Sequence, residues 1–152
     1  MTALGDFSAG DVLTAADLNA IGTWTSFTPV WTNLTVGNGT QIAEYCKINE
    51  IVFWRVQLVF GSTTSISSTV YIDFPFPADS NQLGAVGGSV TLDDDTSTDY
   101  YGSLYRSTTD RARVISYAVN GSSISWASTN ATTPFTWTTD DKLHIEDFYR
   151  PA

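Results

Sequence analysis

The sequence of 152 residues contains little positive charge. It has 7 Lys and Arg residues against 16 Asp and Glu residues, which gives a formal net charge of -9 at pH 7. The few basic residues are not clustered, so the chain lacks the positive surface that neutralises phosphate groups. Nucleic acid and membranes are therefore not expected as partners.

The sequence also contains only one cysteine and one histidine. Cys46 has no second cysteine for an intrachain disulfide, and its strand-like surroundings predict a small buried hydrophobic residue. His144 alternates with Leu143 and Ile145, which favours a structural or solvent-facing side chain. These numbers exclude a zinc site made of His and Cys, and we expect no cofactor.

Signals for export or membrane insertion are missing as well. The start, MTALGDF, has neither the basic stretch nor the apolar core of a signal peptide. The longest apolar-rich stretch, residues 51–60, is interrupted by Arg55 and Gln57 and has about half the length that spans a bilayer as a helix. We expect a soluble protein with one folded domain, since about 150 residues bury a sizeable core.

Residues 1–22 carry the pattern of an arm with one short helix. Thr14 is a favourable N-cap, Asp17 completes a capping box and Gly22 is a suitable end, which predicts a helix over residues 15–21. Two helical turns do not persist alone in water. We therefore expect the arm to dock, on the domain itself or on a partner, through its apolar residues Leu13, Leu18 and Ile21.

Residues 23–152 have the periodicity of β-strands, with β-branched and aromatic runs between turns rich in Gly, Asn, Asp and Pro. The pattern predicts an all-β fold, a single β-sandwich or jelly-roll-like domain. Asn120-Gly121 predicts a tight hairpin turn. The predicted strands are residues 30–36, 41–48, 51–60, 70–74, 100–106, 111–119, 122–126, 135–137 and 143–149, with a strand pair or one bulged strand at 83–92.

Residues 51–60 form the most apolar predicted strand. Phe53 lies on one face with Ile51 and Val59, while the other face carries Val52, Trp54, Val56, Leu58 and Phe60. Because both faces carry large groups, we expect a central strand that is covered on both sides.

Two acidic turns are the densest groups of carboxylates. Asp93, Asp95 and Asp99 form a weak candidate metal site, because several oxygens on one loop suit calcium. The loop lacks the EF-hand pattern, which favours a solvated turn instead. Asp140-Asp141 is interpreted in the same way.

Five tryptophans admit two interpretations, a sugar-binding surface or core and subunit packing. Trp54 lies in the most apolar strand and is expected to be buried. Trp126 and Trp137 have polar Ser and Thr neighbours and are the candidates for contact with a ligand or another subunit.

Residues 7–21, FSAGDVLTAADLNAI, resemble the leader of tail-fibre and minor tail proteins of tailed bacteriophages. Residues 24–40, WTSFTPVWTNLTVGNGT, continuing through YCKINEIVFWR at 45–55 and FGSTT at 60–64, resemble the β-rich domain of the same family. The ending at 134–149, PFTWTTDDKLHIEDFY, is similar to the close of that domain.

This resemblance implies a non-enzymatic structural protein on the virion surface, commonly a homotrimer, that contacts other phage proteins and a host glycan or protein. Because the chain has no long shaft, a short spike or knob anchored by residues 1–22 is expected. The alternative is a capsid decoration protein that stabilises capsomers. A glycan-active enzyme using the carboxylates of the two acidic turns is a third reading, although nothing in the sequence positions a paired acid and base.

Overall fold

The computed structural model describes residues 12, 14–15, 21–120 and 122–152. None of the helices within these residues is long and apolar enough to cross a membrane. A short 3-10 helix covers Ser80–Gln82. The described strands are β1 (Thr25–Ser26), β2 (Trp31–Thr35), β3 (Thr40–Ile48), β4 (Ile51–Val59), β5 (Ser65–Asp73), β6 (Val86–Asp93), β7 (Tyr100–Arg106), β8 (Arg111–Asn120), β9 (Ser123–Ser128) and β10 (Lys142–Tyr149).

The prediction of an all-β fold is confirmed. The strands form one antiparallel sheet that curls into a half-barrel, in the order β1-β3-β4-β10-β6-β7-β8-β5-β2, with β9 paired to β8. A single sheet results because β10 pairs with β4 along one edge and with β6 along the other. The last strand therefore joins the first half of the chain to the second.

The concave side of the sheet encloses the hydrophobic core. Alternate residues of β4 and β10 point inward, as a strand period of two requires. Trp54 and Cys46 are buried, which confirms both predictions. The largest fully buried side chains besides Trp54 are Tyr149, Leu58, Ile72, Leu92, Leu104, Ile115, Leu143 and Ile145.

We expected β4 to be a central strand covered on both faces. It is central, but only its inward face is covered. It lies between β3 and β10, and its outward-facing residues Ile51, Phe53 and Arg55 are exposed. The reason is that a curled sheet covers its own concave face. In the described part of the chain, no second sheet packs on the convex face.

Pairing between distant strands changes several predicted boundaries. The strand pair or bulged strand at 83–92 is one bulged strand, because the register with β7 shifts between Gly87 and Val90. β5 begins at Ser65, five residues before the predicted strand at 70–74, because β2 pairs with that segment. The β8–β9 hairpin is confirmed through the pair Asn120 and Ser123, while Gly121 lies outside the described residues.

The arm and its helix are mostly outside the described residues. Leu13, Asp17 and Leu18, which carry the predicted capping box and apolar stripe, belong to that part. Thr14 is exposed, and Ile21 lies in an exposed turn that leads into the sheet. The role of the arm as an anchor stays a prediction.

Tyr149 supports a prediction about alkaline stability. Its buried hydroxyl donates to the Phe76 carbonyl at 2.8 Å and accepts from the Phe76 N–H at 3.0 Å. Burial raises the pKa of the phenol above its ordinary value of 10.0. The folded state therefore keeps the neutral phenol while the unfolded chain ionises, so stability from this group is complete below pH 10 and is lost as pH rises further.

Tyr149→Phe should lower the free energy of unfolding at pH 8 by about 1–3 kcal/mol, because it removes the hydroxyl that bonds both partly buried backbone groups of Phe76. It should also make the loss of stability above pH 10 shallower than in the wild type. Urea unfolding at pH 8 and at pH 11 measures both effects. Tyr101→Phe, at an exposed ring, is the control, and parallel pH curves for Tyr149→Phe and wild type would contradict the prediction.

Candidate functional site

The convex side of β4 and β10 carries a contiguous group of exposed apolar side chains. Phe53 and Phe148 are direct partners in the register, with ring centroids 6.0 Å apart, and are 37% and 62% exposed. Arg55 lies over the ring of Trp24 at 5.1 Å. We call this surface the β4/β10 face; it consists of Phe53 and Phe148 with Trp24, Ile48, Ile51 and Val86.

A groove opens beside this face where the sheet splits. Pairing of β10 with β6 ends at Glu146 and Ser89. Beyond the bulge, the first residues of β6 pair only with β7. The groove has a volume of about 750 Å³ and is lined by both strands and by the β3–β4 turn. Gly88 makes the split possible, because its φ is +69° and a Cβ would lie 2.9 Å from the Glu146 carbonyl oxygen.

An ion pair between Arg106 and Asp147 bridges the split from the core side. Nη2 of Arg106 is 3.0 Å from each Asp147 carboxylate oxygen and donates to the Phe148 carbonyl at 3.1 Å. The two side chains are 7% and 1% exposed. Burial raises the pKa of the Asp147 carboxyl, and the Arg106 guanidinium opposes that shift. The guanidinium thus supplies a donor to a carbonyl at the point where β6 no longer pairs with β10.

A second exposed surface lies on the convex side of the β8–β9 hairpin. Trp126 is 49% exposed, stacks on Tyr105 at 6.0 Å, and lies 4.9 Å from the Arg113 guanidinium. Val119 and Ile124, direct partners near the end of the hairpin, are 81% and 75% exposed. We call this surface the β8/β9 face; it consists of Tyr101, Val119, Ile124 and Trp126. The assignment of Trp126 as a contact residue stays a prediction.

Trp137, the other candidate for contact with a ligand or another subunit, is half-buried and packs largely within the domain, and its assignment as a contact residue stays a prediction. Its ring stacks on Phe60 with centroids 4.6 Å apart, and Phe135 packs against it at 4.5 Å. The indole Nε1 donates to the Asn130 carbonyl at 3.1 Å. Both the ring face and the N–H are therefore used inside the domain, and residues 135–137 form a loop instead of the predicted strand.

The structure gives no support to the weak metal candidate at Asp93, Asp95 and Asp99. Lys142 Nζ donates to Asp93 at 2.8 Å and lies 4.0 Å from Asp95, so an ammonium group occupies the position of a cation. This contact lowers the pKa of the Asp93 carboxyl. Within the part of the chain that the structure describes, no three His, Cys, Asp or Glu side chains are grouped to hold a metal ion.

Asp141 is buried, in contrast to the predicted solvated turn. Its carboxylate accepts hydrogen bonds from the backbone N–H groups of Asp95 and Thr138. It therefore ties two loops together and contributes to structure. His144 lies on the convex side, in the polar strip between the two faces, as a half-buried side chain.

Phe53 and Phe148 were missed as exposed residues by the sequence reasoning. A signal was present, because Arg55 and Gln57 share the outward side of β4 with Phe53, and charged side chains are rarely buried without a partner. Nothing in the sequence indicated the groove, because Arg106 and Asp147, which lie in its wall, are 41 residues apart in the chain.

The fold and its surface define the class of this protein. It is an all-β chain whose single curled sheet keeps two apolar faces on its convex side. Comparison with known proteins found no matching family model, no matching curated protein and no matching solved structure.

The Arg106–Asp147 pair generates a prediction about stability. Asp147→Ala should lower the free energy of unfolding by about 3–5 kcal/mol, because it leaves the guanidinium buried without a counter-charge. Combining Arg106→Met with Asp147→Leu should recover most of the loss. Urea unfolding at pH 7 measures each variant.

Glu44→Ala is the matched control, because it removes the acceptor of the exposed Arg55 and should cost less than about 1 kcal/mol. If Asp147→Ala is no less stable than Glu44→Ala, the buried ion pair does not stabilise the fold where β10 and β6 separate.

Proposed function

We propose that this chain is a structural protein of a tailed-phage virion. It forms a short trimeric spike or fibre-like appendage, anchored by the arm of residues 1–22, whose β domain contacts the host surface. The observation that carries the proposal is the pair of exposed apolar faces on one sheet. Patches of this size match the largest apolar patch of a typical monomer, which is often functional.

The size of the two faces supports self-association. Taking about 150–250 Å² for a whole aromatic side chain, the exposed fractions amount to roughly 500 Å² of apolar surface on each face. Two such faces in contact bury on the order of 1,000 Å², which is about the minimum for a biological interface and below the roughly 1,200–2,000 Å² of stable ones.

The place where the arm enters the domain also supports the proposal. Trp24 belongs to the β4/β10 face, and a Cβ on Gly22 would lie 3.6 Å from Ile48 of the same face. The arm therefore leaves the domain beside its most aromatic surface. Sister chains that meet there would bring their arms together at one end, as an anchor requires. The resemblance of residues 7–21 to phage tail leaders adds to this argument.

In this proposal, polar loops and Trp126 contact the host surface. Its indole is half exposed beside Tyr105 and Arg113, and flat aromatic faces with polar neighbours suit glycans. Several copies on one particle turn weak single contacts into strong attachment. A capsid decoration protein would use the same apolar faces, so that alternative differs in location and copy number.

The oligomeric state tests the proposal. Light scattering of the purified full chain should give a mass of three times 16.5 kDa. Phe148→Asp should reduce it to the mass of one chain, because an unpaired carboxylate would be buried in the contact. Thr35→Asp, at an exposed position on the edge strand β2, should leave three chains together. A single-chain mass for the wild type would overturn the trimer.

Copy number separates the two places on the particle. Quantitative mass spectrometry of purified virions should find a few to a few dozen copies relative to the major capsid protein, as a tail appendage requires. Hundreds of copies would support capsid decoration instead. Absence from the particles of a phage that encodes the chain would overturn the proposal as a whole.

A further inference from the structure

Arg113, on β8, is a half-buried cation without a counter-charge. Among the described residues, the ion pairs involve the basic residues Arg55, Arg106, Lys142 and Arg150, and none involves Arg113. Its Nε is buried without a hydrogen-bond partner in that part of the chain. The chain has 16 Asp and Glu residues against 7 Lys and Arg residues. Because charged groups are rarely buried unless they are paired, an unpaired arginine in so acidic a chain needs an explanation.

The register of the sheet explains why Arg113 has no acidic neighbour. Its direct partners in the two adjacent strands are Tyr71 on β5 and Tyr105 on β7. The nearest carboxylate in the same register, that of Asp73, lies opposite Arg111 instead. The fold therefore places tyrosines at the positions from which an Asp or Glu could have paired with Arg113.

Two aromatic rings hold the guanidinium. Its central carbon lies 4.7 Å from the ring centroid of Tyr105 and 4.9 Å from that of Trp126. The two rings are stacked on each other, with an angle of 19° between their planes. Ring faces attract the cation but leave its N–H groups free to bind an oxygen. Trp126 is also 49% exposed, so a flat aromatic surface lies open beside these donors.

This combination of groups suits a sugar that carries a negative charge. A guanidinium presents paired N–H groups that match the oxygens of a carboxylate or a phosphate. The face of an indole ring is flat and electron-rich, so it attracts the C–H groups on one side of a pyranose ring. An acidic sugar supplies both partners. A peptide carboxylate lacks the flat C–H surface, and a neutral sugar lacks the charge.

We infer that Arg113, Tyr105 and Trp126 form a binding site for an acidic sugar. The guanidinium binds a carboxylate or phosphate of the ligand, and the indole of Trp126 stacks on the sugar ring. The inference rests on the proposed contact of Trp126 with the host and names the class of ligand, and it concerns a single chain. Because the net charge of -9 opposes an anion over most of the surface, the contact with Arg113 decides whether such a sugar binds.

A glycan array tests the inference. The labelled full chain is applied to glycans with uronic acid, sialic acid or phosphate groups, each printed beside a neutral glycan of the same backbone, and to a polyglutamate peptide. The wild type should bind acidic glycans in preference to their neutral counterparts and to the peptide, and the carboxylate and phosphate spots distinguish the two anions. In a calorimetric titration with the tightest acidic glycan, Arg113→Gln should weaken binding roughly 10–100-fold, because charge-assisted hydrogen bonds are lost.

Lys47→Gln is the matched control. Lys47 is a cation 5.7 Å from the ring of Phe76, on β3, so its substitution removes the same charge from another aromatic ring and should leave glycan binding unchanged. Arg113→Lys keeps the charge without the paired N–H groups and should bind more tightly than Arg113→Gln but less tightly than the wild type. Trp126→Ala should weaken binding to every acidic glycan. If Arg113→Gln does not fold, Arg113→Lys and Trp126→Ala provide the same test.

The outcomes separate this inference from the proposed function. The inference is overturned if no acidic glycan binds, if neutral glycans bind equally well, or if Arg113→Gln binds like the wild type. Binding of polyglutamate without any acidic glycan would assign the site to an acidic protein and would also overturn it. A chain that is present on virions but binds no acidic glycan would leave the virion role standing. Conversely, acidic glycan binding by a chain absent from virions would support the site and overturn the proposed function.

Discussion

The single sheet depends on the contact that continues where the backbone pairing between β10 and β6 ends. Five residues of β10 pair with β6, and beyond Glu146 the backbone ladder ends. The buried pair of Arg106 and Asp147 takes over there, with the guanidinium bonded to both the carboxylate and the Phe148 carbonyl. Removing one partner of such a pair leaves a charge without compensation in the core. Beyond the β10–β6 ladder, the two halves of the sheet thus meet through a buried polar contact.

The same split shapes the outer surface. Because one curled sheet encloses the core alone, its convex side keeps aromatic residues that a second sheet would have covered. The groove beside Phe148 exists because the bulge at Gly88 draws β6 away from β10. The groove and the exposed rings beside it are therefore consequences of one fold, and the proposed function assigns them to assembly.

Much of the local structure was predictable from the sequence. The strand Tyr100–Arg106 has the predicted bounds, and the inward row of β4 was clear from alternation. The features that the sequence did not indicate concern what a segment packs against. Trp137 lies among polar residues in the sequence, yet its ring stacks on Phe60. Asp141 follows an exposed aspartate but accepts hydrogen bonds from a loop 46 residues away.

By itself, the sequence determined the all-β class, the alternation that selects the core of β4, the hairpin of β8 and β9, and the low positive charge. These properties are local, since strand period, turn chemistry and net charge depend on neighbouring residues alone. Only the tertiary structure decided that Phe53 and Phe148 stay exposed and that Arg106 meets Asp147. Those outcomes depend on the order and curvature of the strands, which bring together residues far apart in the chain and leave one side of the sheet without a covering layer.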